Sequence, residues 1–132
     1  ALYSSMKAED TTEIKRHVQT VQEEWASRGV TFRENERIRL ITVFFHDKPT
    51  EEESLLFVGH AGVLLTAEDG TLYFVEKVAF QEPYRMLRFA DRTVLSDYLM
   101  RKYDTSWGQD TASPFIMEND KLMDVKSPHS KQ

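Results

Sequence analysis

Apolar residues recur along the chain with a helical period near its start and again near its end. In the first such segment they recur at spacings of four, three and four residues, at Ile14, Val18, Val21 and Trp25. This face predicts an amphipathic helix from Asp10 to Arg28, with the Asp10 or Thr11 side chain as its cap and Gly29 as its stop. Asp91 is predicted to cap a second helix over residues 92–103.

Between the helices, segments rich in β-branched and aromatic residues predict strands. These segments cover residues 38–46, 55–66, 71–80 and, as a short further strand, 84–89. Asp69 and Gly70 suit a tight turn, so the second and third segments form a central hairpin. The predicted fold class is α+β, an antiparallel sheet of three to four strands with packed helices. We expect a single domain over residues 1–124 and a disordered tail over 125–132.

The composition excludes several classes of function. A net charge of −5 disfavours non-specific binding to nucleic acid or to anionic lipid, because both require a basic surface. No apolar run approaches the roughly 18 to 20 residues that span a bilayer, and no signal peptide is visible. The chain has no cysteine, which excludes disulfides, thiolate metal sites and a thiol nucleophile within this sequence.

His60 is the first candidate for chemistry, because it lies in an apolar strand between Gly59 and Gly62. The two glycines remove side chains next to it, so that another backbone or a substrate is able to approach closely. A histidine placed in this way suits a general base, since small environmental shifts move its pKa across neutrality. The alternative is a core histidine whose ring is satisfied by one backbone carbonyl.

Glu76, on the following strand, is the second candidate. A turn that pairs Gly62 with Glu76 places the His60 and Glu76 side chains on one face of the hairpin. The carboxylate would then orient the imidazole and stabilise its charged form. A turn one residue shorter would direct Glu76 to the opposite face. An ion pair with Lys77, or with an arginine at a strand end, is the alternative role for Glu76.

The other histidines are weaker candidates. His46 and Asp47 are adjacent in a strand and therefore point to opposite faces. We expect His17, on the polar side of the first helix, and His129, in the tail, to be solvated. The four histidines are scattered without ligand spacing, so we expect no metal site. The sequence also has no glycine-rich phosphate-binding loop, so we expect no cofactor.

The hairpin is similar to the histidine hairpin of NlpC/P60-type, papain-like cysteine peptidases. The resemblance covers the segments GHAGVLL, from Gly59, and DGTLYFVE, from Asp69. It implies that His60 is the base and Glu76 the orienting residue, although that family more often uses His, Asn or Gln at the second position and has a shorter turn. The nucleophilic cysteine of the family precedes the histidine. The resemblance therefore implies an upstream segment, or another chain, that supplies this cysteine.

A second resemblance covers nearly the whole chain. The segments FFHD from Phe44, FQEPY from Phe80, DYLM from Asp97 and KYDTSW from Lys102 resemble the C-terminal half of domain of unknown function 4300. That family consists of bacterial, mainly Gram-positive, proteins that look like surface lipoproteins. The resemblance implies a C-terminal fragment of a longer, extracytoplasmic and lipid-anchored protein.

Two main functions follow as hypotheses. The first is the histidine-bearing half of a thiol hydrolase that acts on peptide or peptidoglycan amides. The second is a non-catalytic binding module at the cell surface, with the loop aromatic residues Tyr84, Trp107 and Phe115 as contacts. A purely structural fragment, in which His60 and Glu76 are satisfied internally, is the third reading.

Overall fold

The computed structural model describes residues 3–77, 81–104, 110–123 and 125, and seven strands of this part form one antiparallel sheet. The strands are β1 Met6–Lys7, β2 Ile38–Asp47, β3 Leu55–Thr66, β4 Leu72–Glu76, β5 Arg85–Phe89, β6 Phe115–Glu118 and β7 Lys121–Leu122. The helices are α1 Ile14–Ser27 and α2 Arg92–Tyr103. The order of the strands across the sheet is β5-β4-β3-β2-β6-β7, and β1 pairs with the start of β3.

The predicted α+β class is confirmed, whereas the predicted number of three to four strands is wrong. The strands missing from the prediction are the three shortest, β1, β6 and β7. All four residues of β6 are buried, so the segment shows no alternation of apolar and polar positions. Strands β1 and β7 have two residues each, too few to show any period.

The longer elements lie close to their predicted positions. Strand β3 and helix α2 have the predicted bounds, and the Asp91 side chain accepts a hydrogen bond from the Val94 amide. Helix α1 begins later than predicted, with Glu13 as an N-cap that makes no side-chain cap. The Thr11 hydroxyl instead accepts from the Glu13 amide, in the turn before the helix. Strand β4 ends at Glu76, and residues 78–80 of the predicted strand lie outside the described residues.

The two helices pack on opposite faces of the sheet. On one face, which we call the α1 face, Trp25 and Val21 pack against Phe44 and Leu56. On the other, the α2 face, the helix packs into a cluster formed by Ile41, Val43, Leu64, Leu72, Phe74, Phe89, Leu95, Leu99, Ile116 and Met123. The sheet thus lies between two apolar layers.

A β-bulge in β3 determines which face each part of that strand supplies. Val43 pairs with His60 and the next residue, Phe44, pairs with Val58, so Gly59 is an extra residue in β3. Before the bulge, Leu56 and Val58 lie on the α1 face. After it, His60 and Leu64 lie on the α2 face.

Candidate active site

His60 and Glu76 meet on the α2 face of the central hairpin. Gly62 pairs with Glu76 across β3 and β4, which is the one of the two alternative registers that directs both side chains to the same face. The His60 Nε2 atom lies 2.6 Å from Glu76 Oε1. Both side chains are buried, with 7% of the histidine side chain and 0% of the glutamate side chain exposed.

This contact determines the tautomer of the imidazole. Burial raises the pKa of the Glu76 carboxyl, but hydrogen bonds from Tyr98, His60 and Arg85 outweigh burial and hold the pKa below its usual value. Glu76 is therefore an anion at neutral pH, which accepts hydrogen bonds only, and His60 Nε2–H is the donor. In the neutral ring the lone pair then lies on Nδ1, the nitrogen able to take up a proton.

The second oxygen of Glu76 faces two other donors. Arg85, which lies opposite Glu76 in strand β5, donates through Nε to Glu76 Oε2 at 3.0 Å. The Tyr98 hydroxyl, from α2, also donates to Glu76 Oε2. Burial and the bond to the carboxylate raise the pKa of Tyr98 to about 12, so the phenol keeps its proton. The predicted orienting contact to His60 and the alternative ion pair with an arginine are thus both present.

The space above the two glycines is filled by the protein itself, contrary to the prediction. A Cβ atom at Gly59 would lie 1.8 Å from the Phe45 ring, and one at Gly62 would lie 2.4 Å from the Phe74 ring. At Gly62, strand β3 is also not an open edge, since β2 and β4 pair with it from either side. The glycines therefore accommodate core aromatic rings, and an approach to His60 cannot run over them.

His60 also packs against Tyr103, the last residue of α2. The two rings are stacked, with centroids 5.0 Å apart. Burial, and next the charge of Glu76, raise the pKa of Tyr103. The site is thus built by β3, β4, β5 and α2 together, and Arg85, Tyr98 and Tyr103 were not identified from the sequence as parts of it.

A second histidine cluster lies on the α1 face and corrects the prediction for His17. That side chain is fully buried rather than solvated, and its Nε2 atom donates to the Thr11 carbonyl at 2.7 Å. Its ring centroid lies 4.3 Å from that of His46. The sequence argument failed because the side of α1 that bears His17 faces the sheet beside Phe115.

The cluster contains a serine–histidine contact whose hydrogen bonds run in the wrong direction for nucleophile activation. His46 Nδ1 accepts from the Ala112 amide at 2.8 Å, so Nε2 carries the proton and donates to Ser54 Oγ at 2.6 Å. The hydroxyl in turn donates to the Glu9 carbonyl. An activated serine would donate its proton to the histidine, so this contact is structural.

The structure gives different outcomes for the loop aromatic residues that were predicted as contacts, and for His129. Tyr84 is 72% exposed. Phe115 is not a loop contact but a buried residue of β6, stacked on Phe44. Trp107 and His129 lie outside the described residues.

Two general features bear on function. The described residues contain no group of three or more histidine, aspartate or glutamate side chains able to hold a metal ion. In the same part of the chain, neither helix is long and apolar enough to cross a membrane.

Fold and site together define an α+β domain whose antiparallel sheet holds a buried histidine–glutamate pair. The chain belongs to the family described as domain of unknown function (DUF4300), which matches residues 1–123. No significant match to the chain was found among curated proteins or among solved structures.

Proposed function

We propose that His60 and Glu76 are the general base and the orienting carboxylate of a thiol hydrolase that cleaves amides in peptide or peptidoglycan. The observation that carries the proposal is the 2.6 Å contact between His60 Nε2 and Glu76 Oε1. It leaves Nδ1 as the basic nitrogen, and among the described residues the hydrogen bonds of this ring involve Nε2 alone. The resemblance to NlpC/P60-type peptidases supports the same assignment.

The nucleophile is a cysteine thiol from an upstream segment of a longer protein or from another chain. For proton transfer, its sulfur has to come within about 3 to 4 Å of His60 Nδ1. His60 takes the thiol proton, and the thiolate attacks the amide carbonyl. The imidazolium then gives the proton to the leaving amine, and water hydrolyses the thioester. Glu76 stabilises the imidazolium, while Arg85 and Tyr98 hold the carboxylate in place.

The family resemblance supports a location outside the cell for this activity. We propose an extracytoplasmic, lipid-anchored protein of a bacterial surface, where peptidoglycan amides are within reach. The second candidate function, a non-catalytic binding module, is favoured by a different observation. Ile38, Val63 and Met86 are exposed large apolar side chains on one face of the sheet.

The test begins with the intact mass and N-terminal sequence of the protein isolated from its source cell. If the native chain is longer and contains a cysteine, we expect it to hydrolyse a muropeptide or peptide amide in a thiol-dependent manner. Replacing that cysteine by alanine, or introducing His60→Ala, should lower kcat by at least about 100-fold, because base and nucleophile act together. His46→Gln is the matched control and should retain kcat.

A second test measures hydrolysis by the present chain alone. Without a cysteine, it should show no hydrolysis that iodoacetamide abolishes. Iodoacetamide-sensitive hydrolysis by this chain alone would refute the proposal. So would a native protein that lacks cysteine and has no cysteine-bearing partner.

A further inference from the structure

Part of the α1 face of the sheet is apolar and uncovered by either helix. The strand registers place Leu40, Val63, Val75 and Met86 in one row across β2, β3, β4 and β5. A parallel row runs beside it. We call both rows together the open sheet face, which consists of Ile38, Leu40, Val63, Leu65, Tyr73, Val75, Met86 and Arg88.

Exposure distinguishes this surface from the rest of the sheet. Met86 is 58% exposed, Ile38 53% and Val63 37%, although all three lie in strands. On the opposite face of the same strands, Leu72 and Phe74 are almost fully buried beneath α2. Scattered exposed apolar residues are ordinary, whereas a contiguous apolar patch across four strands marks an interaction site.

A groove of about 290 Å³ at the edge of this face has a definite charge. Arginines occur in its lining and carboxylates do not; the lining residues are Phe32, Arg33, Asn35, Ile38, Arg39, Leu40, Val63 and Asn119. Arg33 makes no ion pair within the described part of the chain. The side chain of Arg39, directly opposite Leu64, turns instead to the α2 face, where it shares the carboxylate of Glu118 with Arg92. Arg33 is therefore the cation that the groove offers on this face, in a chain of net charge −5.

We propose that the open sheet face binds an amphipathic α-helix of another protein segment, with an apolar stripe flanked by aspartate or glutamate. The apolar stripe would cover the two rows, and the acidic side chains would pair with Arg33 and with Arg88 at the end of the second row. Helix α1 already packs in this manner on the neighbouring part of the same face, through Val21 and Trp25.

Charge argues against a second copy of this chain as the occupant. In a face-to-face pair, Arg33 and Arg88 of one copy would meet the same basic surface on the other. The inference does not depend on the His60–Glu76 pair, which lies on the opposite face of the sheet. Failure of one proposal therefore leaves the other unaffected.

The test uses two synthetic helical peptides of about 18 residues, long enough to form a helix in water when rich in alanine. Both carry the same leucine stripe, and one is flanked by glutamate while the other is flanked by lysine. Binding is followed through the methyl NMR signals of Leu40, Val63 and Val75. We expect the glutamate peptide to shift these signals and to bind at least about tenfold more tightly than the lysine peptide.

Substitutions locate the site. Val63→Asp and Met86→Asp should each weaken binding of the glutamate peptide by at least about tenfold, because a buried carboxylate lacks a partner. Val94→Asp, on the exposed side of α2, is the matched control and should leave binding unchanged. Arg33→Glu should reverse the preference between the two peptides.

Three results would overturn the inference. The first is no binding of the glutamate peptide at millimolar concentration. The second is equal binding of both peptides, which indicates non-specific apolar contact. The third is concentration-dependent dimerisation of the chain that Val63→Asp abolishes, which would assign the face to a second copy.

Discussion

At the scale of single residues, Glu76 does two things with its two carboxylate oxygens. Oε1 accepts from His60 and determines the tautomer of the imidazole. Oε2 accepts from Arg85 and Tyr98, which keep the carboxylate ionised in spite of complete burial. The histidine is thus oriented by an anion that is itself held from two further elements.

The raised pKa of Tyr98 gives the first prediction. One tyrosine of the folded chain should ionise near pH 12, because its phenol is buried and bound to a carboxylate. Glu76→Gln should lower this pKa towards 10, the usual value for tyrosine, without reaching it, since burial remains the larger cause. The measurement is tyrosinate absorbance at about 295 nm after a rapid pH jump, before alkaline unfolding.

Assignment of this signal needs two substitutions. Tyr98→Phe should remove the component with a midpoint near pH 12, whereas Tyr84→Phe, at an exposed position, should leave it in place. If Glu76→Gln leaves the Tyr98 midpoint unchanged, the Tyr98–Glu76 hydrogen bond does not exist in solution.

The sequence identified His60 and Glu76 as candidates but left the register of their hairpin open. The turn determines which residues pair across a hairpin, and the sequence left two turn lengths open, so the shared face of His60 and Glu76 follows from the structure. Tyr98 was not identified as part of the site, because no local pattern reveals which buried group a helix meets. The predicted approach over Gly59 failed for a similar reason, since the Phe45 ring that fills the space comes from another strand.

At the scale of elements, Glu118 joins three parts of the chain through its carboxylate. Its oxygens accept two hydrogen bonds from Arg92, at the start of α2, and one from Arg39 in β2. Burial raises the pKa of Glu118, but the two arginines outweigh burial and lower it. The next residue, Asn119, adds two hydrogen bonds to Leu40 and completes the attachment of β6 to β2.

Removing this carboxylate is therefore expected to destabilise the fold. Glu118→Gln should lower the free energy of unfolding by about 1 to 3 kcal/mol, because two partly buried arginines lose the anion that they share. Urea denaturation followed by circular dichroism measures the change. Glu68→Gln, in an exposed ion pair with Arg37, is the matched control and should have almost no effect. Equal effects of the two substitutions would show that the Glu118 network is not stabilising.

At the scale of the whole molecule, stability is expected to fall in two steps as the solution becomes acidic. Burial, and next the neighbouring His17, lower the pKa of His46. The unfolded chain therefore binds this proton more readily than the folded chain below about pH 6.5, and stability falls with pH. The carboxyls of Glu76 and Glu118, whose pKa values are also lowered, contribute stability that is lost below about pH 4.5.

Unfolding free energies from urea titrations at pH 7.5, 6.5, 5.5, 4.5 and 3.5 test this order. His46→Gln should flatten the change between pH 6.5 and 5.5 and leave the loss below pH 4.5 in place. Glu76→Gln should reduce the loss of stability below pH 4.5 and leave the change between pH 6.5 and 5.5 in place. A wild-type chain whose stability stays constant or rises from pH 7.5 to 5.5 would contradict the assignment of His46 as a buried neutral side chain.

Beyond the pattern of helices and strands, the molecule as a whole was only partly predictable. The apolar period of α1, the cap of α2, and the β-branched composition and turn of the central hairpin were sufficient to predict these elements. Which helix covers which face depends on packing between distant segments and is not encoded in a local pattern. The burial of His17 and the open sheet face both follow from that arrangement, and neither was predicted.

The extra residue at Gly59 has a consequence for comparing this chain with others of its family. Because the bulge changes which side of β3 the even-numbered residues occupy, His60 faces Glu76 only while the bulge persists. A relative with the same number of residues but a regular strand here would place its aligned histidine on the α1 face instead. Sequence identity at position 60 is therefore insufficient to transfer the site between relatives. The number of residues between Phe57 and the histidine, taken together with the presence or absence of the bulge, decides which face the histidine occupies.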